Sequence, residues 1–232
     1  MIVFFYLINL LLQPPTPSKV HEIAPPVVPG GEHHPPCHNP HDVAIIVPYR
    51  NRAQHLHIFL AHLHPFLISQ NIHYKIYIVN QADTNLMNKG MLLNIGFREA
   101  LRDFNWSCFI FHDIDNLPED SRNLYSCSDL PKHMAVIQDG YELVYEGYFG
   151  GVVALRRRQF EKINGVSNKF WGWGKMDDDM LRRIFSKGMT FTRDDPDIAR
   201  YTTIKHGESP RNPERKKVYE KISGRFVFDF FN

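Results

Sequence analysis

Two aspartates follow an apolar stretch in the segment CFIFHDID, residues 108–115. Asp113 and Asp115 flank Ile114, so both carboxylates can reach one ligand where the chain turns after a strand. Carboxylate oxygens suit a divalent cation that bridges to a diphosphate. A single aspartate here would more commonly cap a turn, but the pair favours a site for a cation and a phosphorylated ligand.

A second group of polar residues follows another apolar run, in PYRNR at 48–52. The planar guanidinium groups of Arg50 and Arg52 can grip phosphates in a bidentate way. Arginines in a surface loop are the simpler alternative. Tyr49 can stack on a base or pack against the sheet.

The segment FWGWGKMDDDMLRR, residues 170–183, combines tryptophans, glycines and three aspartates. Gly172 and Gly174 permit backbone states that are closed to other residues, so the segment can swing. Trp171 and Trp173 can offer an apolar face to a sugar ring and an indole N–H to a phosphate or hydroxyl.

The three aspartates, residues 177–179, precede MLRRIFSKG, which predicts a helix that ends at Gly188. The helix dipole favours carboxylates at its N-terminus and keeps them ionised, as a general base requires. Helix capping is the alternative, but it needs one aspartate and not three.

Alternating strands and helices must position these groups. The sequence predicts strands at 42–49, 74–81, 108–115 and 152–155, and helices at 53–70, 86–104 and from Arg157. In the first helix Pro65 predicts a kink or an early stop, and in the second Gly90 and Gly96 weaken the helical pattern. This order predicts a parallel α/β sheet with right-handed crossovers, whose ligands lie beyond the carboxyl ends of the strands. Both the arginines and the aspartates lie at such ends.

The beginning of the chain differs in composition from the rest. Residues 2–12 are apolar apart from Asn9, but eleven residues are fewer than the ~20 that span a bilayer. We therefore expect a signal-peptide core or anchor at 1–12, a Pro/Gly-rich stem at 13–40, and a folded domain at 41–232. A formal net charge of +2 gives no indication of a nucleic-acid partner, and the thirteen histidines are scattered.

Cysteines and a glycosylation pattern suit an oxidising lumen. Cys108 and Cys127 could close a loop across a strand and the turn after it, which leaves Cys37 odd. Asn105 begins the acceptor tripeptide NWS.

Seven motifs in order resemble the β-1,4-galactosyltransferase family of Golgi type II membrane enzymes. They are PHDVAIIVPYRNR, YKIYIVNQ, MNKGMLLNIGF, DIDNLP, YFGGVVAL, FEKINGVSNKFWGWGKMDDD and IKHGESPRNPER. The resemblance implies an α/β glycosyltransferase-A catalytic domain over 41–232, with a mostly parallel central sheet and a mobile loop carrying Trp173. It also implies a UDP-galactose donor, a terminal N-acetylglucosamine, glucose or xylose-like acceptor on a glycoprotein or glycolipid, and a divalent metal, usually Mn²⁺.

The resemblance also implies roles for individual residues. The nucleotide sugar would be bound by Pro48, Tyr49, Arg50, Arg52, Met87, Lys89, Asp113, Ile114, Gly151 and Trp173. The metal would be bound by Asp115, His206 and Thr203. The acceptor would be bound by Asp178, Tyr148 and Trp173, and Cys108 and Cys127 match a family disulfide.

The mechanism implied is a single displacement with inversion at the anomeric carbon. Asp177 would take the proton from the acceptor 4-hydroxyl as that oxygen attacks. The metal and the arginines would offset charge on the departing UDP. Tyr148 stands where relatives that prefer N-acetylgalactosamine carry a smaller aliphatic residue, so it favours galactose, and Asp179 would serve the helix start.

The chain departs from the family pattern in the donor and metal sites. Lys175 and Met176 replace Gly and Glu, and Met87 and Lys89 replace an aromatic residue and an arginine. Thr203 replaces the methionine of the metal motif, so Mg²⁺ or Ca²⁺ should compete better with Mn²⁺.

The C-terminus, FVFDFFN, stops short of the final strands that the family usually has. Beside an active galactosyltransferase, a weakened or inactive relative that binds nucleotide sugar or glycan, a β-1,4-N-acetylgalactosaminyltransferase, and a divergent product that folds poorly remain alternatives.

Overall fold

A computed structural model describes residues 3–5, 31–36, 42–140, 142–207 and 210–222. Most of the expected 1–12 and 13–40 segments, Cys37 and the C-terminal FVFDFFN lie outside these ranges. Within them, no helix combines the length and apolar character needed to cross a membrane.

Eleven strands and five helices make up this part of the chain. The strands are β1 Val3–Phe5, β2 Glu32–His33, β3 Asp42–Tyr49, β4 His73–Gln81, β5 Cys108–His112, β6 Asn116–Pro118, β7 Lys132–His133, β8 Ile137–Gln138, β9 Val152–Arg156, β10 Thr192–Arg193 and β11 Arg200–Thr203. The helices are α1 Ala53–Ser69, α2 Lys89–Asp103, α3 Arg157–Lys162, α4 Met176–Ser186 and α5 Arg215–Ile222.

A mixed sheet forms the centre of the fold, in the strand order β1-β4-β3-β5-β9-β7-β10, with β2 also paired to β4. Strands β4, β3 and β5 are parallel, as the alternation of strands and helices predicted. Strand β9 runs antiparallel to β5, so the sheet is less uniformly parallel than expected. A smaller sheet, β6-β11-β8, packs beside the carboxyl end of β5.

The central strand β3 shows why an unbroken apolar run forms a buried strand. Its side chains alternate between two cores, with Ala44 and Ile46 in the core that contains α2 and Val43, Ile45 and Val47 in the core that contains α1. Both faces of the strand are therefore covered, which is typical of parallel sheets in α/β proteins.

The helix boundaries differ from the sequence prediction in three places. Helix α1 continues through Pro65, because Leu63 and Leu67 on either side of it are fully buried. Helix α2 begins at Lys89 rather than at residue 86, since the Asn88 side chain accepts a hydrogen bond from the Met91 N–H and caps it. Strand β5 ends at His112, so both aspartates of the HDID segment follow it.

Helix α4 begins at Met176, earlier than predicted, so the aspartates occupy its first turn instead of preceding it. Asp179 was expected to serve the helix start, and it does lie in the first turn of α4. Its carboxylate is fully buried, 2.7 Å from Arg183 Nε and 2.5 Å from an Arg182 guanidinium nitrogen. Arg183 is also buried and donates to the Asn164 carbonyl. The buried Asp179–Arg183 pair thus lies within α4, and Arg183 connects it to the backbone of Asn164.

The glycines that weakened the second helical pattern mark close approaches of α2 to its neighbours. A Cβ on Gly96 would lie 2.4 Å from Ile46 Cγ2. A Cβ on Gly90 would lie 2.4 Å from the Ser167 carbonyl oxygen, a backbone atom that cannot rotate away. Glycine is thus required at both positions by packing against the sheet and against residues 164–170.

We expect Gly90→Ala to lower the free energy of unfolding by about 1–3 kcal/mol, the usual cost of overpacking. Chemical denaturation measures this. Gly147→Ala is the matched control, because no atom lies within 4 Å of the added methyl group. Equal stability of the two variants would contradict the close packing of α2 against Ser167.

Asp179→Asn should lower the free energy of unfolding by about 3–5 kcal/mol, because it leaves the buried Arg183 guanidinium without its counter-charge. Asp178→Asn is the control, since its partner Lys175 is partly exposed and such pairs contribute about 0–1 kcal/mol. Unfolding curves for both variants at neutral pH make the comparison. Similar unfolding curves for the two variants would show that the buried Asp179–Arg183 pair contributes no more to stability than the partly exposed pair does.

Candidate active site

A cavity of about 1040 Å³ lies at the carboxyl ends of the parallel strands. The residues of the sequence prediction that line it are Pro48, Arg50, Arg52, Met87, Lys89, Asp113, Ile114, Asp115, Tyr148, Trp173, Asp177, Asp178 and His206. They come from the ends of β3 and β5, the start of α2, the segment before β9, the start of α4 with the loop before it, and the segment after β11. One cavity thus collects groups from six parts of the chain.

Lys89 lies between two carboxylates in this cavity. Its ammonium is 2.8 Å from Asp113 and 3.3 Å from Asp177 Oδ1. Burial disfavours the charged ammonium, but the two carboxylates outweigh it and raise the pKa of Lys89 above its usual range. Burial raises the pKa of Asp113, and the Lys89 ammonium opposes that shift. The lysine links the strand end to the helix start and offsets their negative charges.

Asp115 and His206 form a second cluster. His206 Nε2 lies 2.7 Å from Asp115 Oδ2, and the Arg52 guanidinium is 3.2 Å from the same oxygen. The two residues meet because β11 pairs with β6, and the Ile204 N–H donates to the Asp115 carbonyl. His206 Nδ1 lies 2.6 Å from the Gly207 carbonyl, which can only accept a proton. The Arg52 guanidinium also lies 3.2 Å from Nδ1, so both ring nitrogens of His206 have polar partners.

Asp178 lies at the rim of the cavity, separate from this charge cluster. The Tyr145 hydroxyl donates to its Oδ1 at 2.8 Å, and the Lys175 ammonium lies 3.0 Å from Oδ2. Burial, together with this hydrogen bond, raises the pKa of Tyr145, so its hydroxyl remains a donor at neutral pH. Asp178 is therefore placed to accept hydrogen bonds from a ligand at the cavity mouth.

Trp173 projects from a loop that only glycines can form. Gly172 has φ +75° and Gly174 has φ +111°, in the region that favours glycine. The backbone N–H of Trp173 donates to the Pro210 carbonyl at 2.9 Å, and the Arg211 guanidinium lies 5.2 Å from the centroid of the indole ring. The side chain is 56% exposed, so a large aromatic face is open to the cavity and to solvent.

The two departures from the family pattern beside the aspartates have different structural roles. Lys175 has φ +71° in the left-handed region, which costs a residue with a side chain about 1–2 kcal/mol. Met176 is only 5% exposed and belongs to the hydrophobic core between α2 and α4. Met176 therefore contributes packing where the family pattern has a carboxylate.

Other predicted site residues lie away from the cavity wall. Tyr49 packs against the α1 side of the sheet. The Thr203 hydroxyl donates to Asn116 Oδ1 at 3.3 Å. Gly151, at φ +70°, accepts the Asp113 N–H at its carbonyl and so fixes the backbone of that aspartate. Their ligand-binding roles remain predictions.

The disulfide suggested by the cysteine count is present, since Cys108 and Cys127 are bonded with a Cα–Cα distance of 5.5 Å. Asn105 is exposed and accepts a hydrogen bond from Arg157. Its glycosylation remains a prediction.

Several residues that line the cavity were not predicted from the sequence. Tyr145, Gln138, Asn85, Leu86 and Arg215 all border the cavity. They lie in loops, in the two-residue strand β8 or at a helix start, without a pattern of spacing, so nothing in the sequence alone distinguished them. Only proximity in the fold identifies them.

Comparisons with known proteins agree with this site. Residues 7–128 match the family model described as the N-terminal region of glycosyl transferase group 7, and residues 131–207 match that described as the N-terminal domain of galactosyltransferase. The chain is 44% identical over 221 residues to β-1,4-galactosyltransferase 4 of Cricetulus griseus. The match covers 93% of this chain and 64% of that relative, so the chain spans less than two thirds of the relative's length.

Two solved structures share the fold. The catalytic domain of Drosophila β-1,4-galactosyltransferase 7 in complex with xylobiose superposes with a TM-score of 0.70 at 30% identity, covering 78% of this chain and 79% of that one. A mutant of that protein in complex with manganese, UDP-Gal and xylobiose gives a TM-score of 0.69 at 29% identity, covering 77% and 79%. With the ordered motifs and the glycosyltransferase-A fold, these matches show that the chain belongs to glycosyl transferase group 7, the β-1,4-galactosyltransferase family.

Proposed function

We propose that this chain transfers galactose from UDP-galactose to the 4-hydroxyl of a terminal N-acetylglucosamine, glucose or xylose-like sugar, with inversion at the anomeric carbon. The observation that carries the proposal is the convergence of Asp177, the Lys89–Asp113 pair and the Asp115–His206 pair in one cavity. The relatives named as galactosyltransferases support the reaction class. The neighbour bound to UDP-Gal and xylobiose supports the two substrate types.

The donor diphosphate would lie where the cationic groups of the cavity meet. Arg50, Arg52 and Lys89 line the same wall as Pro48 and Met87. Their charges would offset the diphosphate and the negative charge that develops on UDP as the sugar departs. Tyr49 and Gly151 would act from behind this wall, as support for the strand end and for Asp113.

The Asp115–His206 pair fits a divalent cation. An imidazole nitrogen and a carboxylate oxygen only 2.7 Å apart can hold a proton or a cation between them. Carboxylate and imidazole are ligands that manganese accepts, and a neighbour holds manganese. A bound Mn²⁺ would supply Lewis-acid stabilisation of the leaving diphosphate. Thr203, in place of a methionine, gives a weaker ligand set for Mn²⁺ and leaves room for Mg²⁺ or Ca²⁺.

Asp177 would act as the general base. The new bond joins the acceptor O4 to the galactose anomeric carbon, the bond from that carbon to the UDP oxygen breaks, and the hydroxyl proton moves to Asp177. Lys89, 3.3 Å from Asp177 Oδ1, balances the carboxylate charge and fixes its position. One carboxylate that only accepts a proton suits a single displacement.

The acceptor would bind at the cavity mouth. Asp178 offers a carboxylate there, and Trp173 offers an apolar face that can cover a sugar ring. The glycines around Trp173 would let it close over the donor. Burial raises the pKa of Tyr148, so its phenol keeps its proton beside the two substrates. The bulk of Tyr148 would favour galactose over N-acetylgalactosamine.

We place the reaction in the lumen of the Golgi, with the N-terminal segment as the membrane attachment. The Cys108–Cys127 disulfide supports an oxidising compartment, where such bonds persist. The exposed Asn105 is compatible with glycosylation there.

A second candidate function is the binding of nucleotide sugar without efficient transfer of the sugar. The burial of Met176 in the core favours it, because the charged group of the family pattern is lost from the donor site. Transfer from UDP-galactose to an N-acetylglucosamine acceptor, assayed with Mn²⁺, Mg²⁺ and Ca²⁺ in turn, distinguishes the two. If UDP binds but no galactose is transferred with any of the three metals, the proposal that the chain is a galactosyltransferase is wrong.

Asp177→Asn should lower kcat by about 10²–10⁴-fold, the usual contribution of a general base. The affinity for UDP, measured by calorimetry, should stay within a few fold, because the Asp115–His206 cluster is intact. Asp197→Asn, in an exposed position outside the cavity, is the control and should retain wild-type kcat. A variant at Asp177 that keeps wild-type kcat would rule out this residue as the base.

Removal of divalent metal with a chelator should abolish transfer, and Mn²⁺ added back should restore it. His206→Ala should raise the Mn²⁺ concentration required for half-maximal activity by at least tenfold, since one of the proposed ligands is lost. His57→Ala, at an exposed position on α1, is the control. Wild-type metal dependence in the His206 variant would place the metal elsewhere.

A further inference from the structure

Three side chains with ligand atoms converge at the edge of the central sheet far from the cavity. Glu32 lies in β2, His34 directly follows β2, and His73 begins β4, which pairs with β2. Their ligand atoms all lie within 4.8 Å of one another. The cavity adjoins the other end of β4, at Gln81, about 26 Å away along a strand that rises ~3.3 Å per residue. The group is thus separate from the proposed active site.

The distances within this group match a metal coordination sphere. Glu32 Oε1 lies 3.0 Å from His34 Nε2 and 3.1 Å from His73 Nε2. Ligands at 2.0–2.1 Å in a tetrahedral zinc site are about 3.3–3.4 Å apart. An outward shift of a few tenths of an ångström would therefore admit an ion. His34, 62% exposed, can make that shift, and its exposure gives the ion a path in.

A neighbouring carboxylate orients the buried histidine for this task. Asp42 Oδ1 lies 2.7 Å from His73 Nδ1, so that nitrogen carries the proton of the neutral ring. The lone pair of Nε2 then faces Glu32 Oε1. Carboxylate–histidine pairs of this kind accompany most metal-bound imidazoles, where they fix the tautomer and raise the basicity of the ligand.

The surrounding charges favour a cation. Glu32, Asp42 and Asp103 are carboxylates, and Lys75 is the ammonium that contacts two of them. Lys75 lies 3.3 Å from Glu32 Oε2 and 2.5 Å from Asp103, so Oε1 of Glu32 is left toward the histidines. With neutral histidines, three negative charges and one positive charge leave a net charge of −2.

We propose that Glu32, His34 and His73 form a binding site for a divalent transition metal, with Zn²⁺ the best fit, and with water as the fourth ligand. Two imidazoles and one carboxylate suit Zn²⁺ and are poor ligands for Mg²⁺ or Ca²⁺. The ion would cross-link β2 to β4 and so fasten residues 31–36, which precede the catalytic domain, to the edge of the sheet. This proposal does not depend on the proposed function.

The test counts metal ions on the full chain, stripped with a chelator and dialysed. Calorimetric titration with ZnCl₂ compares wild type, His34→Ala and the control His57→Ala, which removes an exposed histidine elsewhere. We expect His34→Ala to bind one equivalent fewer than wild type and His57→Ala to match wild type. Any Zn²⁺ taken up by the Asp115–His206 pair is common to all three proteins and cancels in the comparison.

Two further measurements test the metal site independently. Zn²⁺ should raise the Tm of wild type and of His57→Ala more than that of His34→Ala. Co²⁺ should give wild type a tetrahedral absorption band that weakens in His34→Ala and in Glu32→Gln. Equal Zn²⁺ stoichiometry in wild type and His34→Ala, or a Co²⁺ band indifferent to both substitutions, would overturn the site. Galactose transfer with saturating Mn²⁺ should be unchanged in His34→Ala.

Discussion

The ammonium group of Lys89 lies between two carboxylates that the chain supplies from distant positions. Asp113 follows β5 and Asp177 lies in the first turn of α4, so without a cation between them the two negative charges would repel each other inside a partly buried cavity. Lys89 stands at the first position of α2 and contacts both. The carboxyl end of β5 and the first turns of α2 and α4 can meet at one point because the positive charge of Lys89 attracts the carboxylates of both partners.

Buried amide groups on α2 extend this connection to the tryptophan loop. Asn94 donates to the Val166 carbonyl and accepts from the Val166 N–H, and Asn88 donates to the Asn168 carbonyl. The backbone of residues 164–170 is thus bound to the helix that presents Lys89, and Gly90 lets it approach closely. The path of the chain into the Trp173 loop is therefore fixed by the same helix that balances the carboxylates. A rigid base under a glycine-rich loop suits a site that must close over its ligand.

The parts of this architecture that could be predicted from sequence are those with a local pattern. The run Val43–Val47 predicted β3 because a strand covered on both faces is apolar throughout. The antiparallel direction of β9 could not be predicted, because the residue types of a short strand do not encode its direction. Asp179 looked like its two neighbours, although its i,i+4 spacing to Arg183 on α4 could have indicated the pair; its complete burial depends on tertiary packing and could not be predicted. Glu32, His34 and His73 were missed since 39 residues separate the two histidines and no local motif connects them.

Two departures from the family pattern lie close together in this structure. The pattern has an arginine where Lys89 stands and a glutamate where Met176 stands. A Cβ on Gly90, next to Lys89, would lie 3.4 Å from Met176 Cγ, so the two positions are neighbours across α2 and α4. A guanidinium has five N–H donors and can serve three carboxylates, whereas an ammonium has three and serves two. Relative to that pattern, the chain has one carboxylate fewer and two N–H donors fewer at these positions. At this point of the cavity the chain keeps one ammonium, Asp113 and Asp177, and carries a buried thioether where the pattern has a third carboxylate.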